Sequence, residues 1–416
     1  MRRLLIAALM LGPAAAAPAA GPAGTIEFVE SWPQHTTLDL PGLRDAPVVW
    51  TEVLGTARRI DLAGFYFSRK GDGSDAYGPD SAPDLLQPVL DGVAAAAGRG
   101  AAVRCLADAK FARNYPDVPA WLGALPGAET RLWDVGASFG GVLHAKYFLA
   151  DDDVFWVGSQ NFDWRALGQI HELGVLVRHA GLAADARRIW DLDWSLAGGD
   201  TPAPADGATA DLPLAELPKH RLLTAAGDEV AALLVASPPA GLPAGVPWDL
   251  PLLVEMMDSA RDSLHLQLLS YGVTDREQRL FDDLDRALRR AAVRGVQVRI
   301  IVADWALTRH ALPWLKSLAA VEGIEIRFTT IPAHGDGFIP FARVEHAKYL
   351  TIDGRLCWLG TSNWSRDYFH ESRNLGLILQ GEGAARDPDL FFNLSWHGPY
   401  ATALSPCGEY AAPRRN

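Results

Sequence analysis

The pattern of apolar and polar positions divides the chain into two halves that repeat one order of elements. Thr25 to Glu30 alternates and predicts a strand. Val48 to Thr56 predicts a helix, and Ile60 to Ser68 (IDLAGFYFS) a buried strand. Leu85 to Gly98 predicts a helix closed by Gly100, and Ala102 to Ala107 the next strand. The second half replays this order: helix at Leu252 to Ala260, strand at Leu264 to Tyr271, helix at Leu280 to Arg294, strand at Val296 to Val302. Strands alternating with helices predict an α/β fold whose sheet contains parallel pairs. Gly198 to Pro218 is rich in Pro, Gly and Ala and reads as a linker. The expected organisation is a removable leader over residues 1–20, a first lobe over 25–198, a linker over 199–218 and a second lobe over 219–410. From Gly381 to Asn416, the run FFNLSW reads as one more packed element before a loose tail.

A closer repeat lies inside this order. His144 to Asn161 reads HAKYFLADDDVFWVGSQN, and His346 to Asn363 reads HAKYLTIDGRLCWLGTSN. His144, Lys146, Asp151, Gly158 and Asn161 match His346, Lys348, Asp353, Gly360 and Asn363 at one constant offset, which marks a duplication. On an extended segment side chains alternate, so His144 and Lys146 share a face. Val154 to Val157 reads as a buried strand ending at Gly158, and Ser159 to Asn161 as a turn that brings an amide to the strand end. Two copies paired about a pseudo-twofold axis would surround one pocket with two imidazoles, two ammonium groups and two amides. The cations and amides suit a phosphoryl group. The imidazoles suit a two-step displacement, one attacking phosphorus and one protonating the leaving oxygen.

The doubled H-x-K-x-x-x-x-D followed by G-(S/T)-x-N resembles the phospholipase D superfamily. The stretches NFDWRALGQIHELGVLV and GTSNWSRDYFHESRNLGLIL resemble its animal lysosomal members and related poxvirus proteins. The resemblance runs from about Phe28 to about Gly381. It implies two duplicated α/β/α lobes with pseudo-twofold symmetry and one site at their interface. It implies that His144 is the nucleophile of a phosphohistidine route and His346 the general acid. That order comes from the family's habit, not from this chain's residues. Lys146, Lys348, Asn161 and Asn363 would hold the non-bridging oxygens, and Ser159 and Thr361 would add hydroxyl donors. Asp151 and Asp353 complete the block and are read as supporting, because they sit at the far end of the strand. A carboxylate is expected to orient each imidazole. Glu172, 28 residues after His144, fills that role in the first half. The equivalent position in the second half is Asn374, so Glu371 is the expected substitute. The resemblance implies neither metal nor cofactor. Three readings of function follow: a phosphodiesterase acting on the end of a single-stranded nucleic acid, a phospholipase D hydrolysing or transphosphatidylating phospholipid headgroups, and a catalytically silent membrane-associated protein. Intact pairs of His, Lys and Asn oppose the last. No obligate protein partner is inferred.

Phe162, Trp164, Trp364, Tyr368 and Phe369 cluster beside the repeats. They suit a stacking platform or an apolar wall, but core packing is the favoured reading of each. His171, His265, His310 and His370 read as structural histidines, and Asp108 and Asp304 as capping or surface carboxylates at strand ends.

Composition refines the picture. The 416 residues are enough for two domains, and 49% hydrophobic with 21% charged residues fits a globular enzyme. The formal net charge of −12 argues against a general nucleic-acid coat and leaves room for a local positive pocket. Arg2 and Arg3, the apolar Leu4 to Leu11 and the small residues from Ala14 to Ala20 read as a signal peptide. That apolar run is too short to span a bilayer, and no later stretch qualifies, so an exported protein, periplasmic or secreted, without a transmembrane segment is expected. Cys105 and Cys357 lie in apolar runs and read as buried strand residues. With Cys407 the count is odd, which leaves at least one thiol unpaired and the pairing of the others open. The spacing does not suit zinc.

Overall fold

The computed structural model describes residues 24–73, 77–201, 212–275, 277, 279–411 and 413–415. The leader expected over residues 1–20 and the centre of the expected linker lie outside these. In the first lobe, Arg59–Gly64, Ala102–Asp108 and Ala128–Trp133 pair in parallel. From Arg59–Gly64 the sheet continues antiparallel through Tyr147–Ala150, Val154–Gly158, Glu172–Arg178 and Gly24–Ser31. The second lobe repeats this order strand for strand. Ser263–Leu268, Gln297–Ala303 and Ile324–Thr329 are parallel. Tyr349–Ile352, Leu356–Gly360, Asn374–Gln380 and Glu229–Ser237 follow antiparallel. The strand His220–Thr224 joins the two, parallel to Gly24–Ser31 and antiparallel to Glu229–Ser237.

Each sheet is thus mixed, where alternation of helix and strand predicts parallel pairs. The parallel strands are those separated by helices, Gln87–Gly98 in the first lobe and Asp283–Val293 in the second. The repeated block itself turns back within a few residues, and so tight a connection can only join antiparallel strands. At these turns Asp151 and Asp353 adopt left-handed backbone, with φ of 53° and 51°. The expected strand Ile60 to Ser68 is also broken. It stops at Gly64 and resumes as Phe67–Ser68 beside Phe162–Asp163. A Cβ at Gly64 would lie 2.8–2.9 Å from the rings of Phe162 and Phe67, so only glycine permits this bend.

The glycine of each repeat has a packing reason. Gly158 pairs with Gly174 and Gly360 with Gly376. A Cβ at Gly158 would lie 2.6 Å from the indole of Trp156, and one at Gly360 would lie 2.7 Å from that of Trp358. Each buried indole covers a glycine pair. A central core is shared by both lobes. In it Trp190 and Trp194 of the helix Ala180–Ala197 join Phe391, Phe392 and Trp396 of its counterpart Arg386–His397. Cys105 and Cys357 are buried, Cys407 is exposed, and all three are free.

The lobes meet through main-chain hydrogen bonds. The N–H groups of His144 and Ala145 both donate to the Arg373 carbonyl, at 2.9 and 2.8 Å, and Arg373 N–H donates to Val142 at 2.9 Å. On the other side of the pseudo-twofold axis, His346 N–H donates to the His171 carbonyl at 2.9 Å, and His171 N–H to Val344 at 3.0 Å. The Arg373 guanidinium is fully buried. It pairs with Asp193 of the first lobe at 2.8 Å and donates to the carbonyls of Ser237 and Gly241 at 2.9 and 2.6 Å. Removing one partner of a buried pair strands the other charge, whereas replacing both is close to neutral. Arg373→Met should therefore lower unfolding free energy by about 3–5 kcal/mol in urea titration, and adding Asp193→Leu should recover most of that loss.

Candidate active site

His144, His346, Asn161 and Asn363 line one cavity of about 360 Å³ between the lobes. The interlobe contacts decide what faces each imidazole. Leu143 bridges to Arg373, which sets His144 beside Asn374. His171 bridges to Glu345, which sets Glu172 beside His346. His144 Nδ1 lies 3.1 Å from Asn374 Oδ1, and His346 Nδ1 lies 2.7 Å from Glu172 Oε2. Each imidazole is oriented from the opposite lobe. Glu172 does not orient His144 as expected, because its strand starts at the seam, next to His171, whose carbonyl accepts the His346 N–H. Glu371 orients neither ring. It is partly exposed, ion-paired with Arg366 at 2.5 Å and 3.6 Å from Arg279.

The Asn374 amide is fixed in one orientation. Its Nδ2 donates to the Tyr368 carbonyl at 2.8 Å, and its Oδ1 accepts from Thr361 Oγ1 at 2.9 Å. The oxygen therefore faces His144, so Nδ1 carries the proton and Nε2 keeps its lone pair. The ring is held by edge contacts with Phe65 and Tyr368, at centroid distances of 4.9 and 4.6 Å. His346 instead faces a carboxyl group. Burial raises Glu172 to about 7 against the pull of Lys348 and Lys146. Burial also lowers both imidazoles well below an ordinary histidine, and Lys146 and Lys348 lower them further. At 2.7 Å the Glu172 carboxyl group and His346 Nδ1 are hydrogen-bonded, so the two titrate as a pair.

The two lysines are fully buried behind the cavity wall, each donating to the carbonyl of its own histidine, Lys146 to His144 and Lys348 to His346. Burial lowers Lys348 to about 7, and burial together with Lys348 holds Lys146 well below an ordinary lysine. Asp151 and Asp353 lie away from this cluster. Asp151 accepts the N–H groups of Arg58 and Arg59 at 2.9 and 3.1 Å, and Asp353 those of Arg261, Asp262 and Ser263 at 2.8–2.9 Å. They tie the hairpin turn to the start of the neighbouring strand. The hydroxyls of Ser159 and Thr361, expected as phosphate donors, accept the N–H groups of Leu173 and Leu375 at 3.1 Å and so hold the adjacent strand.

Of the five aromatic residues beside the repeats, Tyr368 lines the cavity, while Phe162, Trp164, Trp364 and Phe369 are core. The walls are supplied by residues without a repeat partner: Phe65, Tyr66, Phe111 and Tyr115 on the first lobe, Trp305 and Phe341 on the second. Tyr66 accepts from Asn161 Nδ2 at 3.3 Å and donates to Asp163 at 3.1 Å, and Asp163 pairs with buried Arg165 at 2.9 Å. The glycine ahead of Phe65-Tyr66 is the sequence signal that marks this bend. Asp108 caps Lys110 and Phe111 and accepts from Leu143 N–H at 2.7 Å, which pins the residue before His144. His171 is paired with Glu345 at 2.9 Å and His265 with Asp389 at 2.9 Å. Among the described residues, no cluster of His, Cys, Asp and Glu is arranged to hold a metal, and no helix is long and apolar enough to cross a membrane.

A family model described as "Cardiolipin synthase, PLD-like domain" matches residues 55–194 and 253–396. The 5′-3′ exonuclease PLD3 of Pongo abelii is 32% identical over 402 residues, 91% of this chain and 80% of that protein. Phospholipase D Z of Dictyostelium discoideum is 29% identical over 393 residues, 91% of this chain and 90% of that protein. The solved structure of phosphatidylserine synthase from Haemophilus influenzae shares the fold, with a TM-score of 0.60 at 16% identity over 91% of this chain and 87% of that one.

An oxyanion entering this pocket would raise the lowered lysines, so its binding takes up protons. Below about pH 7 Lys348 is already charged, while above it each bound anion must bring in a proton. Affinity for tungstate should therefore fall as pH rises above 7, by up to about tenfold per unit. Calorimetry in two buffers of different ionisation enthalpy should show proton uptake at pH 8.

Proposed function

The chain belongs to the phospholipase D-like family of phosphodiesterases, and from that premise we propose that it cleaves the end of a single-stranded nucleic acid through a metal-independent phosphohistidine route. The observation that carries the route is the unlike pairing of two imidazoles on one cavity, His144 with an amide and His346 with a carboxyl group. A neutral imidazole with its lone pair on Nε2 is the nucleophile, and an imidazole backed by a carboxylate is the proton donor. His144 Nε2 attacks phosphorus. The N–P bond forms, the P–O bond to the leaving group breaks, and the leaving oxygen takes its proton from His346. His346 then removes a proton from water, which attacks phosphorus and releases His144. Lys146 and Lys348 offset the charge that develops on the non-bridging oxygens, with Asn161 and Asn363 on the cavity wall.

The aromatic walls favour a nucleotide. Every base has a π-face, and stacking on such rings needs no particular sequence. The relatives named as 5′-3′ exonucleases support the same substrate class. A phospholipid headgroup is the second reading, supported by the relative named phospholipase D Z.

His144→Ala and His346→Ala should each lower turnover of bis-(p-nitrophenyl) phosphate by about 10²-fold or more, with the fold retained in circular dichroism, and excess EDTA should leave the wild-type rate unchanged. Asn374→Asp would set a second carboxylate behind His144 and raise its pKa. The acidic limb of the pH–rate profile should then move to higher pH. End-labelled oligonucleotides should be shortened faster than phosphatidylcholine vesicles are hydrolysed, and the reverse order would favour the lipid reading.

A further inference from the structure

The segment expected as a loose tail is anchored at several points. Leu404 N–H donates to the Ile326 carbonyl at 2.9 Å, and the Tyr410 ring stands edge-on to Phe328 at 5.3 Å. Residues 413–415 then reach the wall of the cavity. The Arg415 carbonyl accepts the Phe341 N–H at 2.8 Å. The Arg415 guanidinium donates to the Trp305 carbonyl and lies over the Trp305 ring at 5.1 Å. Arg414 lies over Phe338 at 4.3 Å. Trp305 and Phe341 both line the cavity and meet edge to face at 6.3 Å, so a single residue of the tail holds both rings of the second-lobe wall.

The backbone of this wall needs such a hold. Phe341 and Arg343 both adopt left-handed backbone, with φ of 54° and 56°. In a residue other than glycine that conformation costs free energy and persists only where the surroundings impose it. Arg343 is imposed from the first lobe. Its N–H donates to the Gln169 carbonyl at 2.7 Å, and its guanidinium to the Gln34 carbonyl at 2.7 Å. Phe341 is imposed by residue 415. The two lobes therefore secure their walls differently. At the end of Ala102–Asp108, the Asp108 carboxylate accepts the N–H of the wall residue Phe111 at 3.0 Å. After Gln297–Ala303, Asp304 is bonded to Thr330 and to the Trp305 N–H, and it also faces the Arg415 guanidinium. Rings that are fixed before binding lose less freedom when a base stacks on them. Building on the nucleic-acid reading, we propose that Arg415 is a positioning residue. It fixes the Trp305–Phe341 wall from outside both repeats, and so sets the affinity of the pocket for a base without entering the phosphoryl step.

Competition against turnover of bis-(p-nitrophenyl) phosphate by the full chain tests this. One competitor is a single-stranded oligonucleotide, and the other is tungstate, which has no base. Arg415→Ala should raise Ki for the oligonucleotide about tenfold, in the range of one stacked base, while kcat and Ki for tungstate change less than about twofold. Arg415→Lys keeps a cation over the ring and should restore most of the affinity. A direct contact between Arg415 and a phosphate would give the same first result, so the double variant decides. With Trp305→Ala in place, Arg415→Ala should add less than about twofold. An unchanged Ki in Arg415→Ala, an equal loss for both competitors, or a full loss in the Trp305→Ala background overturns the proposal. An oligonucleotide that competes in this Arg415-dependent way but is never shortened supports the proposal and overturns the cleavage reading alone. One that does not compete with the wild type overturns both.

Discussion

The Arg373 carbonyl, accepting the N–H groups of both His144 and Ala145, is the contact on which the rest of the arrangement depends. It is a main-chain interaction, so it fixes the position of the His144 backbone whatever the surrounding side chains do. The His171 carbonyl does the same for His346 across the pseudo-twofold axis. These bonds carry two strand ends into one interface and leave both imidazoles facing the same cavity. The buried Arg373–Asp193 pair locks one of the two seams, since its members come from different lobes.

The duplication preserves geometry while exchanging chemistry. Where one seam has Arg373 and Asp193, the other has His171 with Glu345 and Ser395. Where one imidazole faces Asn374, the other faces Glu172. Backbone symmetry gives two equivalent rings a common target. Side-chain asymmetry gives them unlike partners, an amide behind one ring and a carboxyl group behind the other.

The repeats made the histidines, lysines and asparagines legible in sequence, because constant spacing on a strand translates directly into a shared face. The helices and buried strands between them were legible for the same reason. The partner of each ring was not. Glu172 lies closer in sequence to His144 than to His346, and only the bridge between His171 and Glu345 carries it to the other lobe. Glu371 had suitable spacing, yet it follows the short helix Arg366–His370 and turns outward to arginines. The aromatic walls were hidden in a run that reads as one strand, until Gly64 bends it and turns Phe65 and Tyr66 toward the cavity. Asp151 and Asp353 share the block's spacing, but their carboxylates are consumed by backbone at the hairpin.

The exchange of ring partners has a consequence for how such a chain could be divided. Each half holds an imidazole whose hydrogen-bond partner sits in the other half, so neither ring would keep its orientation by itself. A lobe released alone would also expose the carbonyl and amide groups that now satisfy each other across the seam. The smallest unit that keeps the cavity and both ring partners intact is therefore both lobes together. A break within the segment between them is tolerable only while the two pieces stay docked.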